Sequence, residues 1–110
     1  MSVQAGGDQR RILYAEFTAL PGCEARVAQL VRELSDRVRA EPGNLIFAPS
    51  RRATDLSAFF VYEEYIDEAA FQEHIAADYG VHFNAELTSL VHSGESTLTW
   101  LRPADGGTSG

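Results

Sequence analysis

Residues 59–74, Phe59-Phe60-Val61-Tyr62-Glu63-Glu64-Tyr65-Ile66-Asp67-Glu68-Ala69-Ala70-Phe71-Gln72-Glu73-His74, constrain the fold more than any other stretch of the chain. Phe59 to Tyr65 is aromatic and β-branched, a composition that suits a packed, pleated strand. Asp67 follows as a helix N-cap, with Glu68 in the first turn where the helix dipole favours an anion. Phe71 and Ile75 then recur at helical spacing, and His74 sits on the flank of their apolar stripe. A strand that runs straight into a helix is one βα unit, and the rest of the chain must pack around it.

Upstream, Arg11 to Ala19 alternates: Leu13, Ala15, Phe17 and Ala19 make one apolar face, Ile12, Tyr14, Glu16 and Thr18 a mixed one. After Pro21-Gly22, Val27, Leu30, Val31, Leu34 and Val38 trace an amphipathic helix, with Glu33 and Arg37 paired on its outer side. Pro42-Gly43 stops it. Asn44 to Arg52 is a second strand, in which Pro49 marks a bulge or an edge position. The short connection at 53–56 makes it an antiparallel hairpin with the organising strand. Downstream, Gly80 is expected to interrupt the helix, and Phe83, Leu87, Leu90 and Val91 define a further helical segment. Ser93-Gly94 ends that segment, and Glu95 to Arg102 is a last strand in which Leu98 and Trp100 share a face. The order βαββαβ is α+β and ferredoxin-like, a four-stranded antiparallel sheet with its helices on one face.

The chain of 110 residues suffices for one domain, placed at 11–102 between disordered tails at 1–10 and 103–110. A formal charge of −7 argues against nucleic acid or an anionic membrane as partner. No apolar run approaches the ~20 residues that span a bilayer. With a single cysteine, Cys23, and no signal-peptide pattern, the expected location is the cytoplasm.

Helices cover one face of such a sheet, yet both faces carry large apolar groups. Phe59, Val61 and Tyr65 oppose Phe60 and Tyr62, and Leu13 and Phe17 oppose Ile12 and Tyr14. An uncovered aromatic face exceeds what a soluble monomer usually exposes. It calls for a ligand pocket or for a second copy of the chain, and Trp100 is expected to join that face.

Glu63 shares the inner face of its strand with Tyr65. A carboxylate pointing inward needs a partner, and its pKa tends to rise. It suits a base or an orienter of a substrate hydroxyl; an ion pair with Arg11, Arg51 or Arg102 is the plainer alternative. Tyr14 and Asn44, near strand ends, can orient an oxygenated ring, or serve as an interface tyrosine and a turn residue. His74, Asp78 and His82 would line up as metal ligands on an unbroken helix, an alignment that Gly80 argues against, so no metal is expected. Cys23 reads as an unpaired surface thiol. Phosphate-binding glycine loops, nucleophile elbows and dinucleotide fingerprints are absent from the sequence, and no cofactor is expected.

The pattern Phe-x-x-Tyr-Glu-x-aromatic-x-(Asp/Ser)-Glu-x-Ala-(Phe/Leu)-x-x-His in residues 59–74 resembles the central signature of the antibiotic biosynthesis monooxygenase family, which includes small quinol monooxygenases. The resemblance runs from about Arg11 to Arg102. It implies the same ferredoxin-like fold, two sheets packed into a homodimeric α/β barrel, and a pocket between each sheet and its helices. It places His74 at the signature histidine, where an imidazole can take a proton from a phenol or quinol. A half-exposed flanking histidine is the alternative. Tyr65 stands where the family often carries tryptophan, an aromatic pocket wall, and Glu64 where it is commonly basic. His82-Phe83 resembles the His-Phe pair that follows the signature histidine, at a longer spacing, and brings Phe83 to the pocket.

The implied activity is a cofactor-independent monooxygenase oxidising a quinol or polycyclic phenol with O₂, the substrate supplying the electrons. The alternatives are a small-molecule binding dimer without turnover, and isomerase or haem-degrading chemistry on the same scaffold. Haem fits least, since Tyr65 replaces the tryptophan of haem-degrading relatives.

Overall fold

The computed structural model describes residues 9–105, and the expected tails at 1–10 and 103–110 fall mostly outside them. The elements are β1 (Arg11–Thr18), α1 (Glu24–Arg39), β2 (Asn44–Arg52), β3 (Asp55–Tyr65), α2 (Glu68–Ala76), α3 (Asp78–Leu87) and β4 (Thr97–Leu101). The sheet order is β2-β3-β1-β4, with every neighbour antiparallel. Each helical crossover therefore spans one intervening strand, the ferredoxin-like α+β arrangement that the periodicities predict. None of the helices is long and apolar enough to cross a membrane, among the described residues.

The core follows from the alternation of β1 and β3. Ala15, Phe17, Phe59 and Val61 face α1, where Val27, Val31 and Val38 are buried against them. Phe17 and Phe59, partners in register, stack with ring centroids 5.5 Å apart. Ser35, buried in the same helix face, donates to the Val31 carbonyl and so leaves no orphaned hydroxyl. Arg39 closes the helix end onto β2, donating twice to the Phe47 carbonyl at 2.9 and 3.1 Å. Pro49 lies in β2, the edge strand, which accounts for its tolerance; the register shifts of that strand lie elsewhere, at Asn44/Ile46 and Arg51/Arg52.

The β3–α2 junction forms as its residues dictate. The Asp67 carboxylate accepts from the Ala70 N–H at 2.8 Å, and Glu68 pairs with Arg11 at 2.9 Å. Under α2 a second small core gathers Leu13, Tyr65, Ala70 and Phe71.

Three expectations need correction. The helix breaks at Ala77, whose extended backbone (φ −68°, ψ 138°) separates α2 from α3, while Gly80 lies inside α3. Ala77 caps both helices, so the corner needs no glycine. α3 ends at Leu87, short of Leu90 and Val91, because those two return to the sheet: Leu20 N–H donates to the Leu90 carbonyl, and Val91 bridges Ala19. Trp100 lies on the helix side of the sheet, opposite Leu13, with its ring edge-on to Phe71 at 4.9 Å and the Arg11 guanidinium over it at 4.1 Å. The outer face is formed instead by Tyr14 stacked on Phe60 (4.6 Å), flanked by Ile46, Tyr62 and Leu101.

Candidate active site

Between the sheet and the helices lies a cavity of ≈ 130 Å³. β1 and β3 supply its floor through Leu13, Phe17 and Val61. Phe47, Phe71 and Phe83 supply aromatic walls, and Ile75 and Leu98 stand at its more exposed side. Its polar lining consists of Glu63, His74, Asn84 and Ser96. A predominantly apolar hollow with a few convergent polar groups is the usual form of a small-molecule site.

Glu63 follows Val61 on the inner face of β3, so the pleat carries its carboxylate beneath α2. Arg11, Arg51 and Arg102 do not supply its partner. Tyr65, two residues along the same face and fully buried, donates its hydroxyl to Glu63 Oε1 at 2.7 Å, and His74 Nε2 lies 3.8 Å from the same oxygen. Burial pushes the Glu63 carboxyl above the ordinary carboxylate range; the Tyr65 hydrogen bond and a charged His74 pull against that, and Glu41 adds to it. The same burial, beside Glu63, drives the Tyr65 phenol far above its usual value, so it stays a donor.

His74 falls one turn beyond Ala70 and Phe71 of α2, on the side facing the cavity. Its ring packs 4.9 Å from Tyr65 and 6.1 Å from Phe71. With a side chain only 14% exposed it is not a half-exposed flanking histidine. Its Nδ1 lies 3.1 Å from Glu41 Oε2. The imidazole thus stands between two carboxylates on different elements, Glu41 behind it and Glu63 toward the cavity.

Of the residues singled out by sequence, His74, Glu63 and Phe83 line the cavity. Tyr65 stands behind Glu63 as its hydrogen-bond partner. Tyr14 points away, on the outer face, where it stacks on Phe60. Asn44 does not line the cavity; its side chain donates to the Ile46 carbonyl at 3.0 Å and also meets the Tyr65 hydroxyl. Glu64 also faces outward, bonded to Tyr62 (2.6 Å) and Arg10 (3.0 Å). No three His, Cys, Asp or Glu side chains converge as a metal site among the described residues, and His82 is exposed beside a different hollow with Leu30 and Glu86. Cys23 is partly buried at the N-cap of α1.

Sequence reasoning missed Glu41 and Tyr79, whose hydroxyl also donates to Glu41 Oε2. Glu41 lies 33 residues from His74, in what reads only as a helix-ending turn. Tyr79 lies across the Ala77 corner, so no helical spacing links it to His74.

An antiparallel ferredoxin-like sheet, covered on one face by helices that enclose an apolar hollow with a buried carboxylate and an imidazole on its wall, defines a class of small α+β proteins with a ligand-sized interior. Within that class, the chain belongs to the antibiotic biosynthesis monooxygenase family, which matches residues 11–86. The fold is similar to that of PA3566 from Pseudomonas aeruginosa, 26% identical, with a TM-score of 0.80 over 87% of this chain and 96% of that one. It is similar also to Rv0793 from Mycobacterium tuberculosis, at 20% identity and a TM-score of 0.80, covering 90% and 99% of the two chains. A solved antibiotic biosynthesis monooxygenase superimposes with a TM-score of 0.79 at 22% identity, over 86% of this chain and 98% of that one. No protein of curated function matches the chain.

Proposed function

We propose that this protein is a monooxygenase that needs no bound cofactor and oxidises a quinol or electron-rich phenol with O₂, working as a homodimer. The observation that carries the reading is the buried Glu63–His74 pair at the wall of an apolar cavity. A substrate hydroxyl directed at this pair loses its proton to it, and the phenolate so formed is electron-rich enough to reduce O₂. The stoichiometry closes without an external reductant: hydroquinone plus O₂ gives a hydroxylated quinone plus water. One oxygen atom enters the ring and the other leaves with the two hydrogens. The surrounding aromatic walls keep bulk water from competing for the proton. Family membership supports the reaction class.

Cavity size favours a single ring over a polycyclic one. An engineered apolar cavity of about 150 Å³ holds benzene, close to the ≈ 130 Å³ found here. Haem does not suit such a space.

Oxygen uptake with a panel of hydroquinones and phenols tests the reading, with quinone formation followed by absorbance. Turnover is expected for the native protein, and a loss of ~10²–10⁴ in rate for His74→Gln. His74→Ala removes a ring packed against Tyr65 and Phe71 and is expected to cost ~2–3 kcal/mol of stability as well, so the glutamine variant is the cleaner probe. Binding of the hydroquinones with no oxygen consumption across the panel would leave a small-molecule binding protein in place of an enzyme.

A further inference from the structure

We propose that Glu41 is the positioning residue of this site, holding the His74 imidazole in the tautomer and orientation that present an unprotonated Nε2 to Glu63 and the cavity. The inference rests on the monooxygenase reading for its catalytic consequence, but its structural content stands apart from it.

An ionised carboxylate only accepts, so a neutral imidazole that hydrogen-bonds Glu41 through Nδ1 must carry its proton there. Nε2 is then the lone-pair nitrogen, and it is the one that faces Glu63 Oε1 at 3.8 Å. In that state the ring is ready to take a proton arriving from the cavity side. Once it has done so, the imidazolium lies between two carboxylates and is stabilised by both.

Glu41 is well placed for this. Its own backbone is pinned on both sides: its N–H donates to the Val38 carbonyl at 2.9 Å, and its carbonyl accepts from Asn44 N–H at 3.1 Å. The Tyr79 hydroxyl donates to the same Oε2 that meets His74. Partial burial and the bond to Glu41 push the Tyr79 phenol up to about 12, so it remains a donor at working pH. The charged and titratable groups packed around the His74–Glu41 contact come from four segments. They are Arg37 of α1, whose guanidinium lies 5.5 Å from the Tyr79 ring, Glu41 itself in the loop, Glu63 and Tyr65 of β3, and Tyr79 of α3. Among these, Glu41 alone touches Nδ1.

The test is the tautomer of the neutral His74 ring, read by ¹⁵N NMR of the imidazole, together with the kinetics of Glu41→Gln. Glutamine keeps the size and an accepting oxygen but removes the charge. In the native protein the neutral ring should carry its proton on Nδ1. In Glu41→Gln the ring should lose its fixed Nδ1–H tautomer, because a neutral amide can offer Nδ1 either its oxygen or an N–H. The kcat should fall by at least ~10²-fold with KM little changed, as expected when a positioned imidazole loses its carboxylate.

An Nε2–H tautomer in the native protein would overturn the proposal, as would a variant that keeps both the native tautomer and the native kcat. The tautomer is read on the unmodified chain, so the test does not depend on the variant folding. If the native tautomer and its loss in Glu41→Gln are as expected but no phenol is oxidised, Glu41 positions His74 and the monooxygenase reading fails.

Discussion

At the scale of single residues, Glu63 sets the behaviour of the site. Its carboxyl is buried among Val61, Phe47 and Phe71, with the Tyr65 hydroxyl and His74 as its polar neighbours. Because burial raises its folded-state pKa, the folded chain holds a proton on Glu63 at pH values where the unfolded chain has released it. Stability therefore falls as pH rises from the ordinary carboxylate value through the raised one, and stays lower above it. Glutamine at this position can still accept from Tyr65, and it has no charge to desolvate. Glu63→Gln is expected to melt at a higher temperature than the native protein at pH 8, with the gap closing as pH falls toward 4. Thermal melts across that range check it; parallel curves for the two proteins would mean that Glu63 carries no net burial penalty. The same variant removes the carboxylate that faces the His74 Nε2, so it gains stability where it loses turnover.

At the scale of elements, the site depends on how closely the α1–β2 loop approaches α2. Gly43 lies against Ala70, one turn before His74, and a Cβ added at Gly43 would collide with the Ala70 Cβ. That loop also carries Glu41, so the contact sets the distance between Glu41 and the helix that bears His74. Gly43→Ala must push the two apart, and overpacking of this kind costs ~1–3 kcal/mol. Denaturant unfolding should show a lower midpoint with an unchanged slope, and a weakened His74–Glu41 contact should appear as a mixture of His74 tautomers in ¹⁵N NMR. Ala70→Gly in the same chain should recover part of the loss, less the ~1 kcal/mol that glycine costs within a helix. A neutral Gly43→Ala would show that the loop can move without disturbing α2. The corner at Ala77 acts in the same way at the other end, since it turns α3 so that Tyr79 reaches Glu41 and Phe83 reaches the cavity.

At the scale of the whole molecule, the sheet has one face covered by helices and one uncovered. On the uncovered face Tyr14 and Phe60 stack at the centre, and Ile46 and Leu101, 39% and 36% exposed, lie toward the edges. Aromatic groups stacked at the centre of a sheet face suit burial against a second copy. Sedimentation at micromolar concentration should find a dimer, and Phe60→Asp should shift it to monomer while leaving the helix-side core intact. A native monomer under those conditions would sink this arrangement. Trp100 lies on the opposite face of the sheet, so Trp100→Ala is a packing change under α2 and a control for the Phe60 variant.

Local pattern determined a great deal here. The alternation of Leu13, Ala15 and Phe17, the stripe of Val27, Val31 and Val38, and the Asp67 cap were each legible because strand and helix periods are properties of consecutive residues. So was the inward aim of Glu63, which shares the parity of Phe59 and Val61. Periodicity states which residues share a face but not which face the helices cover once a short strand is added, and Trp100 was therefore assigned to the wrong side. It also cannot show which loop closes on which helix. The meeting of Glu41, His74 and Tyr79 required the sheet order, the Ala77 corner and the close Gly43–Ala70 approach together. Only the folded chain could decide it, because these three side chains are brought within hydrogen-bond reach by packing between elements that have no sequence spacing in common.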